Sequence, residues 1–119
     1  MPFPWLRPLT VLALLAAPVA AEAHAILIKS DPAIGATIRP GQVAFHLRYN
    51  SRIDAGRSRL TLTRPDQTQA VLPIGRDEFD DSLTTTAPLT PGDYILRWQV
   101  LAVDGHITRG DVPFTVTGP

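Results

Sequence analysis

Apolar and polar residues alternate along most of this chain, in short segments separated by clusters of proline, glycine and aspartate. Successive side chains of a β-strand point to opposite faces, so a period of two predicts strands with one face in a core. The clearest alternation covers residues 42–50 and 94–101, where aromatic and aliphatic residues occupy every second position. No segment shows a sustained helical period, and no internal repeat is present.

The same pattern predicts about seven short strands between residues 25 and 117. The turn Arg64-Pro65-Asp66 predicts a hairpin between two of them, and the weakly apolar segment 82–86 is expected at a sheet edge. Pro113 has no amide hydrogen, which favours an edge position or a bulge for the last strand. The predicted fold is all-β, a Greek-key β-sandwich or partly closed barrel. The predicted strands are residues 25–30, 42–50, 58–63, 69–72, 82–86, 94–101 and 112–117.

Tyr94 stands at the start of a strand, directly after the turn Pro91-Gly92-Asp93. A tyrosine in this position can return its hydroxyl to nearby backbone, as in the tyrosine corner of Greek-key proteins. We interpret Tyr94 as structural and assign it no functional role.

Residues 1–23 have the features of a secretory signal peptide. Arg7 precedes the uncharged apolar run 9–17, which is too short to span a membrane. Pro18 and the small residues after it lead to Ala21-Glu22-Ala23, an A-x-A cleavage pattern. Cleavage after Ala23 leaves the domain 24–119 with His24 as its first residue, whereas Val19-Ala20-Ala21 allows an alternative cut after Ala21. No later apolar stretch has membrane length, so no membrane insertion of the mature chain is expected.

Composition narrows the chemistry further. The 119 residues carry 11 Lys and Arg against 11 Asp and Glu, a net charge of zero without the basic footprint of a nucleic-acid binder. The chain has no cysteine, which excludes disulfides and thiolate metal sites. Met1 is the single methionine, so the mature chain contains no sulfur. A metal ion would therefore be bound by imidazole, carboxylate and backbone groups.

Three histidines are candidate ligands. His46 alternates with Phe45 and Leu47, which places it on the outer face of its strand as a surface residue. Asp104 and His106 lie two residues apart between the last two predicted strands. If this segment is extended, both side chains project to one side and form a ligand pair. Asp-Gly is also a strong hairpin signal, so a plain type I′ turn with an exposed histidine is the alternative.

His24 changes the balance because an N-terminal histidine offers both its α-amino nitrogen and its ring Nδ1 to one metal ion. The free amine has a pKa of about 7.7–8.0, so a divalent metal displaces only one weakly held proton. Together with Asp104 and His106, it makes a set of three nitrogens and one oxygen, which suits one Cu(II) ion. Zn(II) can use the same donors, but Cu(II) binds more tightly by the Irving–Williams order.

The chain resembles the CopC family of periplasmic copper-resistance proteins at both of its ends. The mature start, residues 24–35, is similar to the opening of the family, and residues 89–94, 98–100 and 104–106, with Gly110 and Phe114, are similar to its close. The resemblance implies a Greek-key β-barrel with cupredoxin-like or immunoglobulin-like character. It also implies a Cu(II) site made by the N-terminal histidine and by the Asp and His of a D-x-H loop, here His24, Asp104 and His106.

Three departures from the family distinguish this chain. The methionine-rich Cu(I) segment of some members is absent, since residues 63–81 offer only Arg, Gln, Asp and Glu. Tyr49-Asn50-Ser51 stands where the family often has an F-S-E turn, so a supporting role of that glutamate is lost or moved. Ala102 and Ile107 replace a serine and a proline found in many members.

The sequence therefore predicts a non-enzymatic, exported Cu(II)-binding protein of copper homeostasis or resistance. It would be periplasmic and would sequester copper or deliver it to an inner-membrane copper transporter of the CopD type. A copper-dependent redox enzyme with a histidine brace is one alternative, although a carboxylate ligand favours Cu(II) over Cu(I). A metal-free immunoglobulin-like interaction module is the other.

Overall fold

A computed structural model describes residues 24–75 and 79–118, and this part of the chain forms eight β-strands. The predicted signal peptide, residues 1–23, lies outside the described residues. No helix within 24–75 or 79–118 has the length and apolar character needed to cross a membrane. The strands are β1 (Leu27–Asp31), β2 (Thr37–Ile38), β3 (Gly41–Tyr49), β4 (Ile53–Thr63), β5 (Gln69–Leu72), β6 (Ser82–Leu89), β7 (Gly92–Ala102) and β8 (Ile107–Val116).

The strands form two sheets, which confirms the predicted all-β class. One sheet has three antiparallel strands in the order β1-β3-β6, and the other has five in the order β2-β8-β7-β4-β5. β2 pairs parallel to β8, and the other neighbours in the second sheet are antiparallel. Eight strands are present where about seven were predicted, because β2 has only two residues and is too short to show alternation.

The core lies between the two sheets and follows from the period of two. Every second residue is buried from Phe45 to Tyr49 of β3 and from Tyr94 to Ala102 of β7, whereas the residues between them are half-buried or exposed. Aromatic side chains meet across the interface: the rings of Phe45 and Phe114 lie 5.7 Å apart, and those of Tyr49 and Trp98 lie 5.2 Å apart, both edge to face. Such edge-to-face pairs add to the apolar burial that holds the sheets together.

Several local predictions are confirmed by the structure. β4 and β5 form the expected hairpin, and β6 lies at the edge of its sheet. The Tyr94 hydroxyl donates to the carbonyl of Thr90 at 2.8 Å and accepts from its amide at 3.1 Å, which forms the tyrosine corner.

The edge position or bulge predicted at Pro113 is wrong: β8 lies between β2 and β7 without a register shift, and the Gly35 amide donates to the carbonyl of Pro113 at 2.7 Å. The missing amide is tolerated because β2 pairs only with Thr115 and Val116 of that strand.

The last two strands are longer than predicted, and this extension places the candidate site. β8 begins at Ile107 rather than at 112, and β7 ends at Ala102, so only four residues connect them. The alternation is hidden in the first half of β8 because its inward positions hold Thr108 and Gly110 instead of large apolar residues. A Cβ at Gly110 would overlap the indole of Trp98, so the core itself requires a glycine there.

Candidate metal centre

The start of the described chain lies beside the loop between β7 and β8. Ile26 donates its amide to Oδ1 of Asn50 at 2.8 Å and accepts from the Asn50 amide at 3.0 Å, which attaches the segment to the end of β3. The Thr108 hydroxyl donates to the carbonyl of Ala25 at 2.8 Å, and Ala25 is only 1% exposed. His24 therefore stands at the end of the sandwich where the β7–β8 loop is found.

His106, the last of the four residues that connect β7 and β8, is bonded to Ala102, so the hairpin loop itself has three residues and is stabilised by two backbone hydrogen bonds. Gly105 donates its amide to the carbonyl of Ala102, and Ala102 donates its own to the carbonyl of His106, both at 2.8 Å. Gly105 has a φ of 95°, so a β-turn is followed by a glycine in the left-handed region, a common hairpin geometry. The extended conformation that the sequence analysis considered for this segment is not observed. The type I′ alternative is wrong too, since it requires a positive φ at Asp104 as well as at Gly105.

Asp104 and His106 come together through the turn itself. Oδ1 of Asp104 accepts the backbone amide of His106 at 3.1 Å, and Oδ2 lies 3.0 Å from Nδ1 of the imidazole. Aspartate commonly bonds the amide two residues ahead in this way and so stabilises a turn. The two side chains therefore share one side, as the sequence analysis allowed, but through a side-chain turn and not through strand alternation.

The hairpin loop between β4 and β5 has the same construction. Arg64 donates its amide to the carbonyl of Thr68 at 2.9 Å, Gln67 donates to Arg64 at 2.8 Å, and Gln67 has a φ of 72°. Oδ1 of Asp66 accepts the Thr68 amide at 3.1 Å. An Asp two residues before a donor is thus a structural device that this chain uses twice. The residue whose amide donates is a threonine in the β4–β5 loop and a histidine, His106, in the β7–β8 loop.

The charge state of Asp104 determines which nitrogen of His106 is available. The hydrogen bond from the backbone amide of His106 holds the pKa of Asp104 below its ordinary value; desolvation opposes this effect, and the hydrogen bond and charge of the imidazole lower the pKa further. An ionised carboxylate only accepts, so the bond to Nδ1 places the imidazole proton on that nitrogen. The lone pair of Nε2 is then free for a metal ion.

The imidazoles of His24 and His106 face each other. Their centroids lie 4.9 Å apart and the ring planes meet at 63°. A metal ion bonds a histidine nitrogen at about 2.0–2.1 Å, so rings separated by this distance are close enough to bind one ion together. Both side chains are exposed, and the His106 side chain has 56% of its surface accessible.

Side chains alone supply only part of a coordination sphere. Among the described residues, no three His, Asp or Glu side chains are grouped so that they can hold a metal ion. His24 adjoins His106, and His106 adjoins Asp104, but the three do not form one cluster. The α-amino nitrogen of a chain cut after Ala23 would add a further donor on His24 itself. This donor set of nitrogen and carboxylate oxygen fits Cu(II).

His46 lies apart in the fold from these residues. It is on the outward face of β3, where Asp31 of β1 and Thr84 of β6 are its cross-strand neighbours. The outward position is confirmed, but the side chain is half-buried where a fully solvated one was expected.

Two residues that position the site were not identified from the sequence. Thr108 and Asn50 contact the segment that carries His24, through bonds that join distant parts of the chain. Asn50 had one signal, since it stands where the family often has the F-S-E turn. Thr108 had none, because a threonine in a strand is unremarkable by composition or period.

Comparison with known proteins identifies one family. Residues 27–117 match the CopC domain. Protein YobA of Escherichia coli K12 is 33% identical over 98 residues, which cover 79% of each chain. Copper resistance protein C of Pseudomonas syringae pv. tomato is 29% identical over 104 residues, with 81% of this chain and 82% of the relative covered.

Solved structures with the same fold include CopC and PcoC. CopC from Methylosinus trichosporium OB3b superposes with a TM-score of 0.73 at 22% identity, covering 80% of this chain and 95% of the other. PcoC from Escherichia coli, a methionine-rich copper resistance protein, gives a TM-score of 0.63 at 24% identity, covering 80% and 100%. At these identities the superpositions establish the sandwich fold.

Proposed function

This chain belongs to the CopC domain family, and from that premise we propose that it is an exported protein that binds one Cu(II) ion through His24, Asp104 and His106. The family consists of copper-binding resistance proteins, and the predicted absence of enzymatic activity is confirmed by the family matches. The choice of ion, the ligands and the fate of the copper form our proposal.

The observation that carries the proposal is the approach of His24 to His106. The two imidazoles come from residues that are far apart in the sequence, and their ring centroids lie 4.9 Å apart on an exposed surface. Asp104 adds a carboxylate that is held against Nδ1 of His106 and directs the Nε2 lone pair outward. In this arrangement the carboxylate lies on the opposite side of the ring from Nε2, so Asp104 would bind the ion directly only after its side chain rotates away from Nδ1.

The donors favour Cu(II) over the other common candidates. Nitrogen and carboxylate oxygen suit tetragonal Cu(II), whereas Cu(I) prefers sulfur, which the mature chain lacks. Zn(II) binds the same donors more weakly by the Irving–Williams order. In this proposal copper is the cargo of the protein, which stores or transfers the ion and catalyses no reaction with it.

Export and cleavage belong to the same proposal. Proteins of this family are periplasmic, and cleavage after Ala23 would free the α-amino group of His24 as a further ligand. The site is exposed at one end of the sandwich, so a second protein can reach the ion. We expect the protein to sequester copper in the periplasm or to deliver it to an inner-membrane copper transporter of the CopD type.

The experiment is a Cu(II) titration of protein expressed from the full sequence and recovered after export. His24→Ala and His106→Ala are expected to weaken Cu(II) binding strongly, whereas His46→Ala serves as the matched histidine control and should bind like the wild type. Mass spectrometry of the same samples should give a chain that begins at His24. Wild-type affinity in either ligand variant, or a chain beginning at Glu22, would refute the proposed site.

A further inference from the structure

We propose that Thr108 is a positioning residue of the metal centre, whose hydroxyl holds the N-terminal segment so that the imidazole of His24 faces that of His106. The inference rests on the proposed function, because it concerns the same site. The hydroxyl of Thr108 bonds the backbone carbonyl of Ala25 and not a metal donor. It acts through the backbone of the residue that follows His24.

The geometry connects the two ligands through a single side chain. Thr108 is two residues after His106 on β8, and Ala25 is the residue after His24. The hydroxyl of Thr108 donates to the carbonyl oxygen of Ala25 at 2.8 Å across 83 positions of sequence. The bond is partly shielded from solvent, since Ala25 is buried and Thr108 is half-buried.

The N-terminal segment is attached to both sheets by hydrogen bonds at two neighbouring residues. Asn50 at the end of β3 binds Ile26 by two hydrogen bonds, which joins the segment to the three-stranded sheet. His106 follows β7 in the five-stranded sheet. The hydrogen bond from Thr108 joins the His24 end of the segment to β8, the strand that begins directly after His106. Its loss leaves the segment attached on the side away from His106.

A physical reason connects this bond to metal affinity. A terminal residue that is free to move must be ordered when it binds an ion, and that ordering opposes binding. A hydrogen bond that already fixes the backbone beside His24 removes part of this cost before the ion arrives. Supporting groups around metal ligands typically change metal affinity by about 10–100-fold when they are mutated.

The test compares three variants of the exported protein. Thr108→Val keeps the shape of the side chain and removes the hydroxyl, and Thr108→Ser keeps the hydroxyl. Thr115→Val is the matched control: Thr115 is a half-buried threonine of the same strand whose hydroxyl bonds Asp93 at 2.9 Å, near the opposite end of β8. Each variant is measured by competition titration with Cu(II) and by thermal unfolding of the metal-free protein.

We expect Thr108→Val to bind Cu(II) about tenfold more weakly or worse, whereas Thr108→Ser and Thr115→Val bind like the wild type. A structural role alone would make the two valine variants alike in both measurements. Wild-type affinity in Thr108→Val, or equal losses in Thr108→Val and Thr108→Ser, would overturn the inference.

A second readout separates this inference from the proposed function. In metal-free wild-type protein, nuclear Overhauser contacts are expected between the rings of His24 and His106, which lie 4.9 Å apart. They should disappear in Thr108→Val and persist in Thr108→Ser and Thr115→Val. If the wild type fails to bind Cu(II), the proposed function fails while these contacts still test the positioning. Contacts that persist in Thr108→Val refute it.

Discussion

Asp104 and His106 are joined by two hydrogen bonds that engage both oxygens of the carboxylate, one from the backbone amide at 3.1 Å and one with Nδ1 at 3.0 Å. The same backbone bond, also at 3.1 Å, joins Asp66 and Thr68 in the β4–β5 hairpin. One local device therefore does two things in the second loop. It closes the turn, and it fixes the proton of a histidine that faces His24.

Asp104→Asn should separate these two roles. The amide oxygen of asparagine can still accept the His106 backbone amide, so the turn is expected to persist. Its NH2 group donates, however, so Nδ1 must become the acceptor and the proton moves to Nε2, which no longer offers a lone pair. We expect Cu(II) affinity to fall by about 10–100-fold in a competition titration.

Asp66→Asn is the control for this change, because it alters the equivalent aspartate of the other hairpin. It should leave Cu(II) affinity at the wild-type value while changing stability by a comparable amount. Equal Cu(II) affinities for Asp104→Asn and Asp66→Asn would show that Asp104 serves the turn alone.

The Asp66 turn also predicts how stability depends on pH. The Thr68 hydroxyl and then the Thr68 amide hold the pKa of Asp66 below its ordinary value. In the unfolded chain the pKa returns to about 3.9. The native state then binds fewer protons than the unfolded state, so this contribution is fully present above that pH and is lost as pH falls through the native pKa. Urea unfolding of metal-free wild type and Asp66→Asn should give stabilities that differ near neutral pH and converge as the pH falls below the native pKa of Asp66. A difference that grows on acidification would contradict this sign.

The faces of the strands were predictable because the period of two is a local property. The inward residues of β3 and β7 follow from alternation alone, and so does the sandwich they form. β2 was not predictable, since two residues carry no period, and neither was the start of β8. There the inward positions hold Thr108 and Gly110, which lack the apolar signal, and Gly110 leaves room for the indole of Trp98.

The ligand residues of the candidate site were predictable from the sequence, but the contacts that arrange them in space were not. His24, Asp104 and His106 stand out as donors in a chain without sulfur. Their arrangement depends on contacts such as that between Thr108 and Ala25, which lie 83 positions apart. A single sequence contains no information on which distant residues pair, so these supporting contacts came only from the structure.

Gln67→Gly should stabilise the protein. Gln67 has a φ of 72°, in the same loop position where Gly105 has a φ of 95°. The left-handed conformation costs a residue with a side chain about 1–2 kcal/mol, and glycine avoids it at a smaller entropic cost in the unfolded chain. We expect the free energy of unfolding in urea to rise by about 0.5–1 kcal/mol. Gly105→Gln, the reverse change in the other hairpin, should lower it, and a loss of stability in Gln67→Gly would contradict the argument.

The two buried tyrosines should respond in opposite directions to loss of the hydroxyl. Tyr94 is 4% exposed and Tyr49 is 1% exposed, but only the Tyr94 hydroxyl has hydrogen-bond partners among the described residues. Tyr94→Phe leaves the backbone of Thr90 without that partner and should cost about 1–3 kcal/mol. Burial raises the pKa of Tyr49, so its hydroxyl is neutral and unpaired. Tyr49→Phe should therefore leave the stability unchanged or raise it by about 1 kcal/mol. Urea unfolding of both variants at neutral pH gives the comparison, and a loss in Tyr49→Phe as large as that in Tyr94→Phe would mean that the Tyr49 hydroxyl has a partner after all.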